Sequence, residues 1–135
     1  MKLTYALLCD SAFLSIDRKV NIIGVFETIN AQKFPVTHPK FVIVGSIAPS
    51  KKDFKMSINI VDKKTGSTVL GDVHERQVNL PDEKAANFNF IVEVINTNFS
   101  HAGEYSIQIN IDGKTVGEIP LKLIESKLQG LGTPS

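Results

Sequence analysis

Histidine and cysteine side chains are the residues of this sequence that could bind a metal or act as a nucleophile. The three histidines are His38, His74 and His101, and the single cysteine is Cys9. Metal ligands usually recur at short spacings such as H-x₃-H or C-x-x-C, and no two of these four residues are spaced in this way. We therefore expect scattered surface and loop histidines, although a sandwich fold could still bring distant ones together.

Cys9 follows the apolar run Leu3–Leu8. A nucleophilic thiol needs a base and usually a recognisable local sequence, and no Gly-rich turn surrounds Cys9. An isolated cysteine at the end of a strand more often packs as a small hydrophobic side chain. We expect a packed thiol and no catalytic residue. The alternative is a small hydrolase or metal-dependent enzyme that uses Cys9, the histidines and the loop aspartates.

Aspartates in the predicted loops could bind calcium, as they do in calcium-binding sandwiches. Calcium loops supply several carboxylates close together, and no two of these aspartates are paired as D-x-D. Lys63 and Lys64 would also repel a cation beside Asp62. Turn formation explains Asp17, Asp62 and Asp112 without a ligand, so we expect no metal. The aspartates considered are Asp10, Asp17, Asp62, Asp72, Asp82 and Asp112.

Charge gives no reason to expect nucleic acid or a membrane as a partner. The formal net charge is only +1, and nucleic-acid-binding proteins present a basic patch. The densest basic run, Lys51 to Lys64, is divided between the two ends of a predicted strand. No stretch approaches the roughly 20 apolar residues of a membrane span, and the run after Met1 is too short for a signal peptide. A lone cysteine fits a reducing compartment, so we expect a cytoplasmic protein without a cofactor.

Two strands and a tight turn in Gly103–Leu123 organise the predicted fold. Apolar residues at every second position of Tyr105–Ile111 indicate a strand with one buried face. Asp112-Gly113 favours a two-residue type I′ turn. One extra residue at Gly117-Glu118, a β-bulge, would restore the phase of the return strand, and Pro120 would then lie at a sheet edge or beside the bulge. The residues kept inside are Val116, Ile119, Leu121 and Leu123.

The segment His101–Tyr105 resembles the tyrosine corner of immunoglobulin-like sandwiches, in which a tyrosine hydroxyl bonds to backbone a few residues upstream. His101 stands where that pattern usually has Asp. We expect Tyr105 to be buried, with its hydroxyl bonded to backbone between Phe99 and Ala102. The alternative is an ordinary buried tyrosine. The predicted structural residues are Tyr105, Gly103, Gly113 and Gly117.

Eight or nine strands, with turn signals every 8–12 residues, predict an all-β protein. The fold class is a two-layer antiparallel Greek-key β-sandwich, immunoglobulin-like in the broad sense, and the alternative is a closed β-barrel. Residues 1–128 would form a single domain, and residues 129–135 a flexible C-terminal tail. The best helical or loop candidate, Pro81–Ala86, is about one turn long.

Four segments of the sequence resemble one family of small uncharacterised bacterial proteins. They are Tyr5–Asp10 (YALLCD), Ile23–Phe26 (IGVF), Phe34-Pro35 and Gly103–Tyr105 (GEY). The resemblance spans about residues 3–123. It implies a β-sandwich and a bacterial or phage-related origin, and the family has no established activity that would assign site residues.

Several predicted strands are apolar on both faces, although the outer faces of a two-layer sandwich should be polar. The second faces are covered either within the chain, by a loop or the segment around Leu128, or by another molecule. We predict a non-enzymatic binding or assembly module that forms a homo-oligomer and binds a further protein partner. The candidate interface residues are Val42, Val44, Ile91 and Ile95. Ile23, Val25 and Ile29 are further second-face residues.

Overall fold

Nine strands make up the ordered framework in the computed structural model, which describes residues 1–81 and 87–126, without the side chains of residues 70–74. Within these residues there is no helix, and hence none long and apolar enough to span a membrane. Residues 82–86 of the helical or loop candidate Pro81–Ala86 lie outside the described residues, and so does the predicted tail at 129–135. The strands are β1 (Lys2–Leu14), β2 (Val20–Phe26), β3 (Thr28–Ala31), β4 (Val36–Ala48), β5 (Asp53–Asp62), β6 (Thr68–Asn79), β7 (Phe88–Phe99), β8 (Gly103–Ile111) and β9 (Lys114–Glu125).

The strands form two sheets, ordered β2-β1-β4-β7 and β3-β9-β8-β5-β6. Neither sheet closes on itself, so the predicted sandwich is confirmed and the barrel alternative is wrong. Every pairing is antiparallel except that of β3 with β9. The chain crosses from the first sheet to the second at Glu27, and β3 therefore meets β9 in the parallel direction. Because of this crossing Ile29 lies in the core and not on a second face as predicted.

The core between the sheets is built by alternation along the strands. Phe41 and Ile43 of β4, in the first sheet, and Ile107 and Ile109 of β8, in the second, are all fully buried in the same core cluster. In β1 strict alternation would keep Leu3 and Tyr5 on one face, but the pairing with β4 shifts register between them. Because of this shift, Leu3 and the even-numbered residues Ala6 and Leu8 pack on the core. The odd-numbered residues from Tyr5 to Cys9 lie on the outer face.

The β8–β9 hairpin has the predicted type I′ turn, because Asp112 and Gly113 both adopt positive φ, 49° and 81°. The predicted bulge exists but was placed one residue too late. Ile109 pairs with Gly117 and Asn110 with Thr115, so the extra residue is Val116. It keeps the core side chains inside and Glu118 exposed. The buried residues of β9 are Ile119, Leu121 and Leu123.

Gly117 and Pro120 are explained by the neighbours of β9. A Cβ at Gly117 would collide with the side chain of Leu3. Strand β3 pairs with β9 only from Lys122 onwards, and the Lys122 N–H donates to the Glu27 carbonyl at 3.0 Å. The nitrogen of Pro120, two residues earlier, points to the same side beyond the end of β3. Its missing N–H therefore leaves no carbonyl without a donor, and the predicted edge position is confirmed.

Candidate functional site

Tyr105 forms the predicted tyrosine corner. It is fully buried, and its hydroxyl donates to the backbone carbonyl of His101 at 2.7 Å. The ring also packs edge-on against Phe99, with ring centres 5.0 Å apart. Gly103 opens β8 with φ at 145°, a conformation that favours glycine. The corner ties the turn after β7 to the start of β8, and the prediction for the hydroxyl is confirmed.

His101 replaces the usual aspartate of the corner with an ion pair. Its Nε2 lies 2.5 Å from Oδ2 of the buried Asp62, and its Nδ1 lies 2.6 Å from the Ala102 carbonyl. The other carboxylate oxygen of Asp62 accepts the Lys64 N–H at 2.9 Å. Since a carbonyl and a carboxylate both accept, both ring nitrogens donate and the imidazole is positively charged. The pair joins the β5–β6 loop to the corner.

The surroundings of this pair shift both of its pKa values in the direction that keeps it charged. The Ala102 carbonyl, followed by the Asp62 carboxylate, raises the pKa of His101 above its ordinary value. Burial alone would raise the pKa of Asp62, but hydrogen bonds from the Lys64 amide and from His101 outweigh it and hold that pKa below its ordinary value. Both groups are satisfied by each other, so the pair is a structural clamp.

Cys9 is fully buried on the outer face of the first sheet. It lies in register between Val25 of β2 and Val42 of β4. Burial raises the pKa of its thiol, and a backbone hydrogen bond at Ser11 offsets only part of this. A buried thiol with a raised pKa is mostly uncharged at neutral pH and is a poor nucleophile. The prediction of a packed thiol is confirmed.

The candidate interface on the outer face needs a correction. Val42 and Val44 are buried within the chain, so the prediction that they lie at an interface is wrong. Val44 is flanked in register by Leu7 and by the half-buried Ile91. Three side chains from the distal part of the β1–β2 hairpin also pack against this cluster and cover it. They are Ala12, Val20 and Ile22. Ile95 alone of the four candidates is largely exposed.

The β1–β2 hairpin carries most of the apolar surface that the described residues leave exposed. Five of their eight exposed large hydrophobic residues lie in its paired part and tip, residues 8–26. The pairing of β1 with β4 is last seen at Cys9, and beyond that point β1 pairs with β2. The loop at its tip is closed by the Arg18 N–H, which donates to the Ser15 carbonyl at 2.9 Å. The exposed residues are Phe13, Leu14, Ile16, Ile23 and Val25.

The predicted turn aspartates serve as turn residues. Asp17 accepts a hydrogen bond from Ser15 in the hairpin loop, and Asp112 adopts the positive φ that the β8–β9 turn requires. The Asp112 carboxylate also accepts the Lys55 N–H of β5 at 2.9 Å. Among the side chains that the structure describes, no group of three His, Cys, Asp or Glu could hold a metal ion. Three of the candidate ligands considered in the sequence lie outside the described side chains. They are Asp72, His74 and Asp82.

Comparison with solved structures finds the alkylpurine DNA glycosylase AlkC of Pseudomonas fluorescens, bound to DNA containing an abasic site analog. The TM-score is 0.49 at 10% sequence identity, and the match covers 88% of this chain and 30% of that chain. This chain thus spans less than a third of that protein, and a similarity of this size says nothing about function. None of the curated proteins matches the sequence.

The sequence profile of a family of unknown function, DUF6941, matches residues 4–124. This range takes in all four segments that resemble an uncharacterised family, from Tyr5–Asp10 to Gly103–Tyr105. It also takes in nearly all nine strands of the sandwich. The chain therefore belongs to this family of unknown function.

Proposed function

We propose that this protein is a non-enzymatic assembly module that pairs with a second copy of itself through the free edge of β2. The observation that carries the proposal is the combination of an unprotected sheet edge with exposed apolar side chains in the same hairpin. Strand β2 is the outermost strand of its sheet, and both Ile23 and Val25 are more than half exposed.

The four sheet edges differ in how well they are protected. Proteins protect an edge with charge, proline, irregular backbone or short length. Strand β3 has only four residues, and β6 carries Asp72, Glu75 and Arg76 in its sequence. Strand β7 carries Glu93 and has a left-handed residue in its second half. Strand β2, Val20–Phe26, has neither a charged residue nor a proline. Its one left-handed residue, Gly24, lies near its C-terminal end and leaves Val20–Ile23 as a regular, uncharged edge.

The chemistry of this edge selects an extended strand as its partner. Unpaired N–H and C=O groups along an edge are matched by the backbone of another strand. Two copies of β2 related by a two-fold axis would run antiparallel, which gives an isologous interface. Gly24, with φ at 75°, interrupts regular geometry in β2, so Val20–Ile23 is the segment expected to pair. Ile23 and Val25 of both copies would then lose solvent exposure together.

Two observations favour this function over a hydrolase or a metal-dependent enzyme. The Cys9 thiol has no exposed surface, so a substrate could not reach it without local opening. The charged groups of His101 and Asp62 bind each other and neighbouring backbone. A cytoplasmic location, a further protein partner and the absence of nucleic-acid and membrane partners remain predictions.

Sedimentation equilibrium of the native protein tests the proposal. Each copy would bury only the exposed half of a few side chains on one strand, and this burial offsets only part of the free-energy cost of association. We therefore expect a monomer–dimer equilibrium with a dissociation constant on the order of 1–100 μM. A fit to a single dimer constant across a wide range of loading concentrations would support the proposal. A molar mass that stays at the monomer value up to millimolar protein would contradict it.

A further inference from the structure

A small cleft opens between the base of the β1–β2 hairpin, the β2–β3 crossing and the start of β4. Its volume is about 130 Å³, and it is lined by Asp10, Gly24, Val25, Phe26, Thr28, Ile29 and His38. Pockets for drug-sized ligands are usually about 300–1,000 Å³, whereas a cavity of about 150 Å³ accepts benzene. The cleft therefore fits a group the size of one side chain.

Asp10 places an uncompensated negative charge at the mouth of this cleft. Its side chain lies directly against Gly24, where a Cβ would collide with the carboxyl group. Because glycine has no side chain, Gly24 leaves room for the carboxylate of Asp10. Across the described part of the chain, the Asp10 carboxylate receives no hydrogen bond and no ion pair. Its acceptor sites are consequently available to a ligand.

His38 provides a second acceptor on the same cleft. The side chain is half-buried and its ring packs near Phe41. Burial lowers the pKa of His38, and a backbone hydrogen bond at Lys40 and the nearby charge of Asp10 offset only part of this. The imidazole is therefore mostly neutral at neutral pH and can accept one hydrogen bond. The described residues that line the cleft include no Lys or Arg, and Phe26 and Ile29 supply apolar walls. The lining combines one negative charge, an additional acceptor and an apolar wall.

We propose that this cleft binds a positively charged nitrogen group on a short apolar stem, with alkylguanidinium preferred over alkylammonium. A guanidinium can donate two parallel hydrogen bonds to the carboxylate of Asp10, whereas an ammonium acts as a point charge. The stem would pack against Phe26 and Ile29. The same chemistry is found in the arginine side chain of a protein partner and in free arginine. The site is lined by one copy of the chain, so it does not depend on self-association.

Titration followed by ¹⁵N-resolved NMR tests this site, with ethylguanidinium as the probe and ethylurea as its uncharged counterpart. We expect saturable shifts of the amides of Asp10, Gly24 and Phe26 with a Kd on the order of 1–10 mM, typical of a tight-fitting fragment of this size. Ethylurea should produce no saturable shift, and ethylammonium should bind several-fold more weakly. N-acetylarginine methylamide mimics an arginine residue within a protein chain. If it binds more tightly than free arginine, the natural ligand is the arginine side chain of a protein partner; if free arginine binds more tightly, the ligand is the free amino acid.

Variants separate the charge of Asp10 from its size. Asp10→Asn keeps the volume and should weaken ethylguanidinium binding at least about tenfold, the usual range for loss of a charge-assisted bidentate contact. Asp53→Asn, at an exposed position on the other sheet, should leave binding unchanged. His38→Gln should cause a smaller loss than Asp10→Asn and provides a second test if Asp10→Asn disturbs the fold.

Three results would overturn the inference. In the first, ethylurea binds as tightly as ethylguanidinium. In the second, a folded Asp10→Asn variant keeps full affinity. In the third, Zn²⁺ shifts the residues around Asp10 and His38 while ethylguanidinium does not, which would make the cleft a metal site. The same measurements on Ile23→Lys, a substitution outside the cleft lining that should weaken pairing through β2, keep the result for the cleft distinguishable from the result for self-association.

Discussion

Replacement of Ile23 by lysine should weaken self-association strongly while leaving the fold intact. The side chain is 55% exposed in the single chain, so about half of its surface remains to be buried in a dimer. Full burial of an isoleucine is worth about 1.5–3 kcal/mol, which leaves about 0.8–1.7 kcal/mol for each copy. Two copies lose about 1.7–3.3 kcal/mol together, and at about 1.4 kcal/mol per tenfold the dissociation constant of the dimer should rise about 15- to 230-fold. Repulsion between two lysines across the axis would add to this loss.

The control is the same substitution at Ile95. This side chain is 59% exposed and lies on β7, at the opposite edge of the same sheet. Both residues lie in edge strands, so Ile95→Lys matches Ile23→Lys in exposure and in the charge introduced, and differs in which edge carries it. Both variants should keep the thermal midpoint of the native protein within a few degrees, since surface substitutions usually change stability by no more than about 0.5 kcal/mol. Sedimentation equilibrium of the three proteins gives the comparison.

The pattern of the two variants decides between interfaces. The β2 proposal requires Ile23→Lys to dissociate the dimer and Ile95→Lys to leave it unchanged. If only Ile95→Lys dissociated the dimer, the interface would lie on β7 and not on β2. A dimer constant unaffected by either change would show that neither edge of this sheet takes part, and the reasoning from unprotected edges would be refuted.

Three further predictions concern the clamp and the thiol. Tyr105→Phe removes one buried hydrogen bond and should lower the free energy of unfolding by about 1 kcal/mol in a denaturant titration; an unchanged value would mean that the bond contributes nothing. The raised pKa of His101 gives stability that is fully present below its unfolded value of 6.5 and lost as pH rises through the folded pKa. The lowered pKa of Asp62 gives stability present above its unfolded value of 3.8 and lost as pH falls through the folded pKa. Urea titrations across pH should show both losses in the native protein, and Asp62→Asn should flatten the profile; identical profiles would contradict the clamp. A thiol-reactive dye should label Cys9 slowly in folded protein and rapidly in denaturant, and fast labelling of folded protein would revive the enzyme alternative.

The parts of the fold that depend on neighbouring residues could be predicted from the sequence. Asp112-Gly113 specifies its own turn, and the bond of the Tyr105 hydroxyl spans only four residues. Alternation also showed that β9 needs an extra residue. It could not show which one, because alternation is restored by an extra residue at either Val116 or Gly117. The close approach of Leu3 to Gly117 is likewise a contact with a distant strand that the local sequence does not reveal.

The surface features could not be predicted, because they arise from contacts between distant segments. Val42 and Val44 read as an exposed face until the distal hairpin is seen to pack against them. The cleft brings together Asp10, Gly24 and His38 from three strands, and no spacing in the sequence marks this meeting. One feature of the hairpin is visible in the sequence, because β2 contains no charged residue. Only the sheet order shows that this uncharged strand lies at an edge.

The most direct test of the central proposal is an NMR experiment on a mixture of isotopically labelled and unlabelled protein, which detects only contacts between copies. In an antiparallel pair, directly opposed residues approach to Cα separations of about 4.5–5.5 Å, close enough for backbone protons to give strong cross-peaks. Pairing through β2 predicts such cross-peaks between backbone protons of Val20–Ile23 in one copy and the same segment in the other. Intermolecular cross-peaks confined to other strands, from a sample shown to be dimeric, would contradict it.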